Sequence, residues 1–339
     1  MAAFPVPASR RPRAAVPALL LAVLLLAGCA AAGPSSPSLA PVATPNPTVA
    51  PTVTPPAFPV TVTDDEGTAV AISAAPTKIV SLTPAATEIV YAIGAGPKVV
   101  AKVEDLANYP PEAAAVPVVA TFKGVDVEKI VSLGADLVIS GGANFGQGDA
   151  VEQLRRAKVP VLVVGPTTTS GVLADIRFIG QATGESATAN QVADSMGSAF
   201  TAIRTATAGL AHPKVFYEID ATGAIYTAAK GSFLEELLDI AGADPITTGS
   251  AAAYDISLES LVTANPDLIL LGDAAYGVTA AQVKARPGWG SIKAVQSGAI
   301  QAVDDVVITR PGPRLVDGLL ALLKAIHPDL AVPSFPPVP

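Results

Sequence analysis

Apolar and polar residues alternate from Phe58 to Ile72, on both sides of the turn sequence Asp64-Asp65-Glu66-Gly67. Alternation is the period of a strand with one buried face, so this stretch predicts a β-hairpin. Farther along, short continuous runs of Val, Ile and Leu predict strands buried on both faces of parallel sheets. These runs occupy residues 78–83, 98–103, 136–140, 159–165, 214–219, 267–272 and 299–304.

The stretches between these runs have helical spacing, which places a helix after nearly every strand. Thr83-Pro84 predicts a helix start, because Thr can cap and Pro suits the first helical position; Gly94 ends this helix. Residues 186–208 contain no strand signal, and their apolar positions predict one helix of about 22 residues, or about 33 Å. Other helices are expected near 127–133, 149–157, 232–241, 257–264, 279–285 and 314–326.

Two short segments are repeated along the chain. Residues 126–141 match residues 257–272 at an offset of 131, which aligns Glu128 with Glu259. Residues 88–97 match residues 236–245 at an offset of 148. Two matches in the same order predict two α/β lobes of similar plan joined by the long helix. Loops at the carboxyl ends of parallel strands would then face a ligand in the cleft between the lobes.

The N-terminal residues have the features of a targeting segment. Arg10, Arg11 and Arg13 precede an apolar run over residues 16–27, which is too short to span a membrane. The run ends in Leu-Ala-Gly-Cys, a tetrapeptide that resembles a bacterial lipobox, so residues 1–28 are predicted to be a lipoprotein signal peptide. Cys29, the single cysteine, would carry the lipid. Export by the general or the twin-arginine route stays open.

The remaining chain divides by composition. Residues 29–57 are rich in Pro, Ala, Ser and Thr and carry no charge, which predicts an extended tether. The body is expected to comprise an N-terminal lobe at 58–170, linker helices at 171–210 and a C-terminal lobe at 211–330. Residues 331–339 are predicted to be a frayed tail.

Charge and motifs exclude several classes of function. Net charge is -8 for the whole chain. It becomes -11 once the three arginines of the signal are removed, because that segment holds no acid. Such an acidic chain is not expected to bind nucleic acid. The sequence contains no nucleophile elbow, phosphate-binding loop or dinucleotide fingerprint, and its two histidines each precede a proline. The glycine-rich stretch 141–148 has the wrong spacing for a dinucleotide and predicts a flexible cleft loop, so an enzyme is not expected.

Several motifs together resemble the iron-chelate and cobalamin family of substrate-binding proteins, which serve ATP-driven (ABC) importers. They are KIVSLTPAATEIVYAIGAGPKVV, NYPPEA, VDVEKIVSLGADLVI, KGSFLEELLDIAGADPI and RPGPRLVDGLL, within residues 58–330. The resemblance implies an α/β class III fold: two Rossmann-like lobes, a single rigid connecting helix and a ligand cleft between the lobes. It also implies a monomer, anchored by its lipid to the outer face of the cytoplasmic membrane.

The resemblance also implies which residues line the cleft. Pro84 follows the first strand of the first lobe, and three aromatic residues in loops suit a macrocycle or a planar chelate. Two further residues have weaker signals: Tyr226, and Arg310, which either meets an anionic group of the cargo or braces the RPGPR turn. The three aromatic residues are Tyr109, Phe122 and Tyr254. Trp289, the single tryptophan, is interpreted as a packing residue.

Cobalamin or a related corrinoid is the expected cargo, with a ferric siderophore or heme as the alternative. Heme-binding relatives commonly have a tyrosine near the position of Phe122, and phenylalanine has no oxygen to coordinate iron. The protein itself is expected to hold no cofactor or metal, although the cargo contains cobalt or iron. In the family, one glutamate on each lobe docks onto arginines of the permease dimer; Glu128 and Glu259 match these positions. The alternative is that both acids only stabilise the first turn of a helix.

Overall fold

The computed structural model describes residues 58–338. The predicted signal peptide, tether and Cys29 lie outside the described residues. Within the described part, none of the helices is both long and apolar enough to cross a membrane. The first element is the predicted β-hairpin, with β1 at Val60–Thr63 paired antiparallel to β2 at Ala69–Ile72.

The first large sheet has six strands and forms the N-lobe. Its strand order is β6-β5-β4-β3-β7-β8, and all neighbours are parallel except β5 and β6. Both faces are buried along β3, β7 and β8, which explains their unbroken apolar sequences. The strands are β3 Ile79–Ser81, β4 Val99–Val103, β5 Val118–Thr121, β6 Gly124–Val125, β7 Leu137–Ser140 and β8 Val161–Val163.

The second large sheet has four parallel strands in the order β11-β9-β13-β14 and forms the C-lobe. A separate two-stranded antiparallel ribbon, β10 with β12, lies in the same lobe. The strands are β9 Lys214–Glu218, β10 Ile225–Tyr226, β11 Asp244–Pro245, β12 Asp255–Ile256, β13 Leu268–Leu271 and β14 Ile300–Ala302.

Helices cover the sheets and connect them. They are α1 Pro84–Ala92, α2 Val127–Ser132, α3 Gly148–Arg156, α4 Thr169–Thr183, α5 Ser186–Thr207, α6 Phe233–Ile240, α7 Leu258–Ala264, α8 Ala280–Lys284, α9 Lys293–Ser297, α10 Asp305–Thr309 and α11 Leu315–Ile326. Four short 3-10 helices, Gly96–Lys98, Pro111–Ala113, Gly142–Phe145 and Gly272–Tyr276, complete the set.

The long connecting helix is present as α5, with 22 residues. It does not act alone, because α4 turns back onto it through Gly184, which has a left-handed φ of +87°. Close packing of the pair depends on Gly180, where an added Cβ would lie 2.2 Å from the Cβ of Ala189. The connection is therefore a helix pair rather than the single helix expected from the family resemblance.

Three apolar clusters define the layers. The largest contains residues of α1, α4, α5, α6 and α11 together with one face of each sheet. A second lies between the N-lobe sheet and α2 and α3. The third lies between the C-lobe sheet and α7, α8 and α9. The helices between the two sheets thus share one core with both lobes, which restricts the lobes to small relative movements.

Both sequence repeats are confirmed as structural repeats. Strands β7 and β13 coincide at an offset of 131, and the helices before them, α2 and α7, begin at the same offset. Helix α1 corresponds to α6 at an offset of 148. Both of these helices are followed by a left-handed glycine, Gly94 with φ +90° and Gly242 with φ +81°.

The two ends of the described chain are both attached to the body. In the hairpin turn, the buried Asp64 carboxylate accepts hydrogen bonds from the Arg155 guanidinium and the Val163 N–H, each at 3.2 Å. At the other end, Phe335 and Val338 pack against the core. These two side chains also line a groove beside α11, within the segment predicted to be a tail.

Candidate functional site

A cavity of about 420 Å³ lies between the loops of the two lobes. The N-lobe contributes the loops that follow β3, β7 and β8, and the C-lobe contributes α10 and the turn after it. All of these segments follow the carboxyl ends of parallel strands, where α/β proteins bind ligands. The lining residues include Thr83, Pro84, Asn144, Phe145, Pro166, Asp175, Asp305 and Arg310.

Pro84 lies in the cavity wall because the first helix begins there. The Thr83 side chain caps α1 by accepting a hydrogen bond from the Ala86 N–H at 3.1 Å. Pro84 occupies the first helical position, where the missing N–H costs nothing. Of the six residues that the resemblance assigned to the cleft, Pro84 and Arg310 line this cavity.

The glycine-rich loop after β7 is held in place rather than flexible. The Gln147 side chain donates to the Leu82 carbonyl at 2.8 Å and accepts from the Ser140 hydroxyl at 2.7 Å. This loop carries Phe145 into the cavity wall with 56% of its surface exposed. The ring lies over Gly141, where an added Cβ would come within 2.4 Å of it.

Phe145 has a counterpart in the other lobe, and the sequence repeat aligns the two positions. The offset of 131 continues beyond the quoted repeat and aligns Gly141, Phe145 and Gly146 with Gly272, Tyr276 and Gly277. Tyr276 ends the 3-10 helix after β13 and is 88% exposed. Extending the repeat by five residues would have identified both aromatic residues from the sequence.

The other predicted aromatic residues lie at the same edges of the sheets but outside the cavity wall. Phe122 is at the tip of the β5–β6 turn and is 92% exposed. Tyr226 and Tyr254 lie in and next to the β10–β12 ribbon, where the Thr227 N–H donates to the Tyr254 carbonyl at 2.8 Å. Both are partly exposed. Each of the three follows the carboxyl end of a parallel strand in its lobe.

Arg310 is fully engaged by carboxylates of the N-lobe. Its Nη1 donates to Glu88 at 2.7 Å, and its Nη1 and Nη2 donate to the two oxygens of Asp105 at 3.1 and 3.0 Å. Burial alone would raise the pKa of Asp105, but hydrogen bonds and positive charge from Arg310 outweigh it and lower the pKa. Arg310 therefore pairs with acids of the other lobe and is not an unpaired cation.

Arg314 extends this network and holds Tyr109. Its guanidinium donates to both oxygens of Glu88, at 2.6 and 3.1 Å, and lies 3.8 Å from the centre of the Tyr109 ring. Tyr109 therefore faces a smaller groove of about 280 Å³, shared with α11 and the C-terminal tail. We call Glu88, Asp105, Arg310 and Arg314 the interlobe clasp, because it joins acids of the N-lobe to arginines of the C-lobe.

Two buried carboxyl groups near the cleft lack complete hydrogen bonding. Asp175 on α4 lines the cavity, is 1% exposed, and its Oδ1 has no hydrogen-bond partner among the described residues. Asp273, which follows β13, has none for either oxygen in the same part of the chain. Burial and the neighbouring charge of Glu218 raise the pKa of Asp273.

The two acids predicted to dock the permease occupy the same place in each lobe. Glu128 is the second residue of α2 and Glu259 the second residue of α7. Both are exposed. Asp126 and Ser257 cap these helices by accepting hydrogen bonds from the chain, so neither glutamate acts as the cap.

Trp289 is a packing residue, as predicted. It is 3% exposed, and its ring meets Phe216 edge-on at 6.1 Å and the Arg286 guanidinium at 4.7 Å. Among residues 58–338, no group of three or more His, Cys, Asp or Glu side chains could hold a metal ion.

Comparison with known proteins gives a family for this arrangement. The model of the periplasmic binding protein family matches residues 79–307. The ABC transporter substrate-binding lipoprotein YvrC of Bacillus subtilis is 36% identical over 317 residues, which cover 92% of this chain and 96% of the relative. The chain belongs to the periplasmic binding protein family. Its members of this type serve ABC importers of iron chelates, vitamin B12 and heme, and they are transport proteins rather than enzymes.

Solved structures show the same two-lobe class III fold. The periplasmic vitamin B12-binding protein BtuF of Vibrio cholerae aligns with a TM-score of 0.64 at 25% identity, covering 74% of this chain and 96% of its own. The periplasmic heme-binding protein RhuT of Roseiflexus sp. RS-1 aligns with a TM-score of 0.63 at 26% identity, covering 74% and 99%. The protein is therefore the binding component of an ABC importer, with a small-molecule cargo and a permease as its partners.

Proposed function

We propose that the protein captures cobalamin or a related corrinoid between its lobes and delivers it to the permease. The observation that carries this proposal is the set of exposed aromatic side chains at the carboxyl edges of both sheets. Four of them are at least half exposed: Phe122, Phe145, Tyr254 and Tyr276. Large aromatic rings left in solvent favour a broad, flat, apolar cargo, which would cover them on binding.

The size of the cavity agrees with partial enclosure of such a cargo. About 420 Å³ lies within the usual range for ligand pockets but holds only part of a corrinoid. The rest of the macrocycle would contact Phe122 and Tyr226 outside the cavity wall. Tyr109 supports the same surface indirectly, because it stacks on Arg314 of the clasp.

A corrinoid is favoured over an anionic iron chelate by the state of Arg310. The negative groups of heme or of an anionic siderophore would be stabilised by a free cation, and Arg310 already pairs with Glu88 and Asp105. The B12-binding relative supports the first cargo and the heme-binding relative supports the second. The choice therefore depends on the residues of this chain.

The site of action follows from the proposed lipid and docking residues. A lipid on Cys29 and a tether over residues 29–57 would hold the body at the outer face of the cytoplasmic membrane. Glu128 and Glu259 would meet arginines of the two permease subunits. Two carboxylates at equivalent positions of two similar lobes suit a partner with twofold symmetry, and such pairs set orientation and association rate.

Thermal-shift titration of the purified protein tests the proposed cargo. Cyanocobalamin and cobinamide should raise the melting temperature, because a ligand at about 100 times its Kd stabilises by about 2.7 kcal/mol. Hemin and a ferric siderophore should leave it unchanged. Tryptophan fluorescence is unsuitable here, because Trp289 is buried away from the cavity. A shift with hemin or the siderophore alone would replace the corrinoid with that cargo.

A further inference from the structure

The cavity wall contains one buried carboxyl group whose hydrogen bonding is incomplete, that of Asp175. It is 1% exposed, it lines the cavity, and its Oδ1 has no hydrogen-bond partner among residues 58–338. A buried oxygen without a partner is destabilising, so a ligand that supplies a donor recovers this energy on binding. Asp175 comes from α4, which packs against α5, α1, α6 and β1, so its backbone position is fixed.

Asp175 forms an acid pair with Asp65 of the hairpin turn. The two carboxyl groups are near enough for the charge of Asp65 to disfavour ionisation of Asp175. Asp65 accepts a hydrogen bond from the Gly165 N–H at 2.7 Å. Burial and the charge of Asp65 raise the pKa of Asp175 to about 8. At neutral pH Asp175 therefore keeps its proton.

No cationic side chain in the described cavity wall is free to pair with a ligand. Arg310, the single cationic side chain among the described lining residues, is neutralised by Glu88 and Asp105. Asp305 of α10 accepts from the Tyr217 hydroxyl at 2.8 Å and adds negative charge. Glu236 of α6 is engaged with the N-terminal end of α4, through Thr169.

We infer that Asp175 is a specificity-determining residue, whose Oδ1 accepts a hydrogen bond from a carboxamide N–H of the cargo and rejects a carboxylate at the same place. This inference rests on the proposed function. The periphery of a corrinoid carries primary carboxamides, whereas heme carries propionates. A carboxylate in this position would meet the charge of Asp65 and an acceptor oxygen, with no cation to compensate.

Calorimetric titration with matched corrinoids tests the role of Asp175. Cyanocobalamin is compared at pH 7 with the cobalamin monocarboxylates, in each of which one peripheral carboxamide has been hydrolysed. At least one monocarboxylate should bind the wild type about tenfold more weakly than cyanocobalamin, because its carboxylate cannot donate to the Asp175 oxygen and also meets the charge of Asp65. In Asp175→Asn the acceptor oxygen remains and the amide can donate to a carboxylate. This variant should bind cyanocobalamin with an affinity within about threefold of the wild type. It should bind the same monocarboxylate only about threefold more weakly than cyanocobalamin.

Asp194→Asn is the matched control, because Asp194 lies on α5 outside the cavity and pairs with Arg177. It should retain the full tenfold discrimination, and melting curves of both variants report folding. The inference is overturned if no monocarboxylate loses affinity, or if the loss persists unchanged in Asp175→Asn. Failure of cyanocobalamin itself to bind the wild type would instead overturn the proposed function, and this inference with it.

Discussion

At the scale of the residue, the chain retains buried acids that folding alone does not require. Asp175 carries a proton in the native state at neutral pH, because burial and Asp65 raise its pKa to about 8. The unfolded chain loses that proton near pH 4. Between about pH 4 and pH 8 the native state therefore binds more protons than the unfolded state, and the free energy of unfolding falls as pH rises.

Asp175→Asn should remove this pH dependence. The variant should be more stable than the wild type by about 2–4 kcal/mol at pH 8, because it has no proton to retain. The advantage should disappear toward pH 4, where both states of the wild type are protonated. Urea unfolding at pH 4.5, 6 and 8 measures the difference, and an equal difference at all three values would contradict the assignment.

Some residues of this site could be identified from the sequence and others could not, for physical reasons. Pro84 was identified because capping is local and leaves a signal in neighbouring residues. The partners of Arg310 were not, because Glu88 and Asp105 are 222 and 205 residues away in sequence. Asp175 gave no signal at all, since only the packing of α4 beside the hairpin turn determines that it is buried.

At the scale of the element, local patterns identified most helices and strands. The hairpin, the parallel strands and α5 all appear within a few residues of their predicted bounds. Several short pieces were missed, among them β5, β6, β10 and α10, which have two to five residues, fewer than are needed to establish a period. Helix α10 matters most among these, since it forms the C-lobe wall of the cavity.

The interlobe clasp is a buried ion-pair network, so removing one of its charges should be strongly destabilising. The Glu88 side chain is 1% exposed and serves two arginines. Glu88→Gln should lower the free energy of unfolding by about 3 kcal/mol, because it leaves buried positive charge uncompensated. Urea unfolding measures this loss.

A matched control for the clasp is Asp239→Asn. Asp239 pairs with Arg204 at 3.0 Å, but both side chains are more than half exposed. Solvent screening should limit its effect to about 0.5 kcal/mol. Equal effects of the two substitutions would show that the clasp contributes no more than a surface pair.

At the scale of the whole molecule, the repeat gives the two lobes equivalent positions that suit the proposed docking to a partner with twofold symmetry. Glu128 and Glu259 lie at corresponding positions of α2 and α7, and the sequence offset alone predicted this correspondence. The identity of the cargo could not be predicted in the same way, because it depends on loops that differ between the lobes. Resemblance to the family supplied the roles of these residues, whereas the repeat supplied their equivalence.

Charge reversal tests the docking residues. Glu128→Lys with Glu259→Lys should abolish most corrinoid uptake by cells carrying the cognate permease, because like charges would meet the permease arginines. Cyanocobalamin affinity of the purified variant should be unchanged. Glu112→Lys, an exposed acid in the first turn of the 3-10 helix Pro111–Ala113, is the control and should transport normally. Normal uptake by the double variant would exclude docking through these two acids.

Capture of the cargo between the two carboxyl edges is tested most directly by hydrogen–deuterium exchange with and without saturating cyanocobalamin. The account predicts slower amide exchange in loops of both lobes, at residues 83–86, 142–147 and 165–168 of the N-lobe and at 273–277 and 305–311 of the C-lobe. Exchange at α2 and α7, on the outer faces, should be unchanged. Slower exchange confined to one lobe, or to segments away from the cavity, would contradict capture between the lobes.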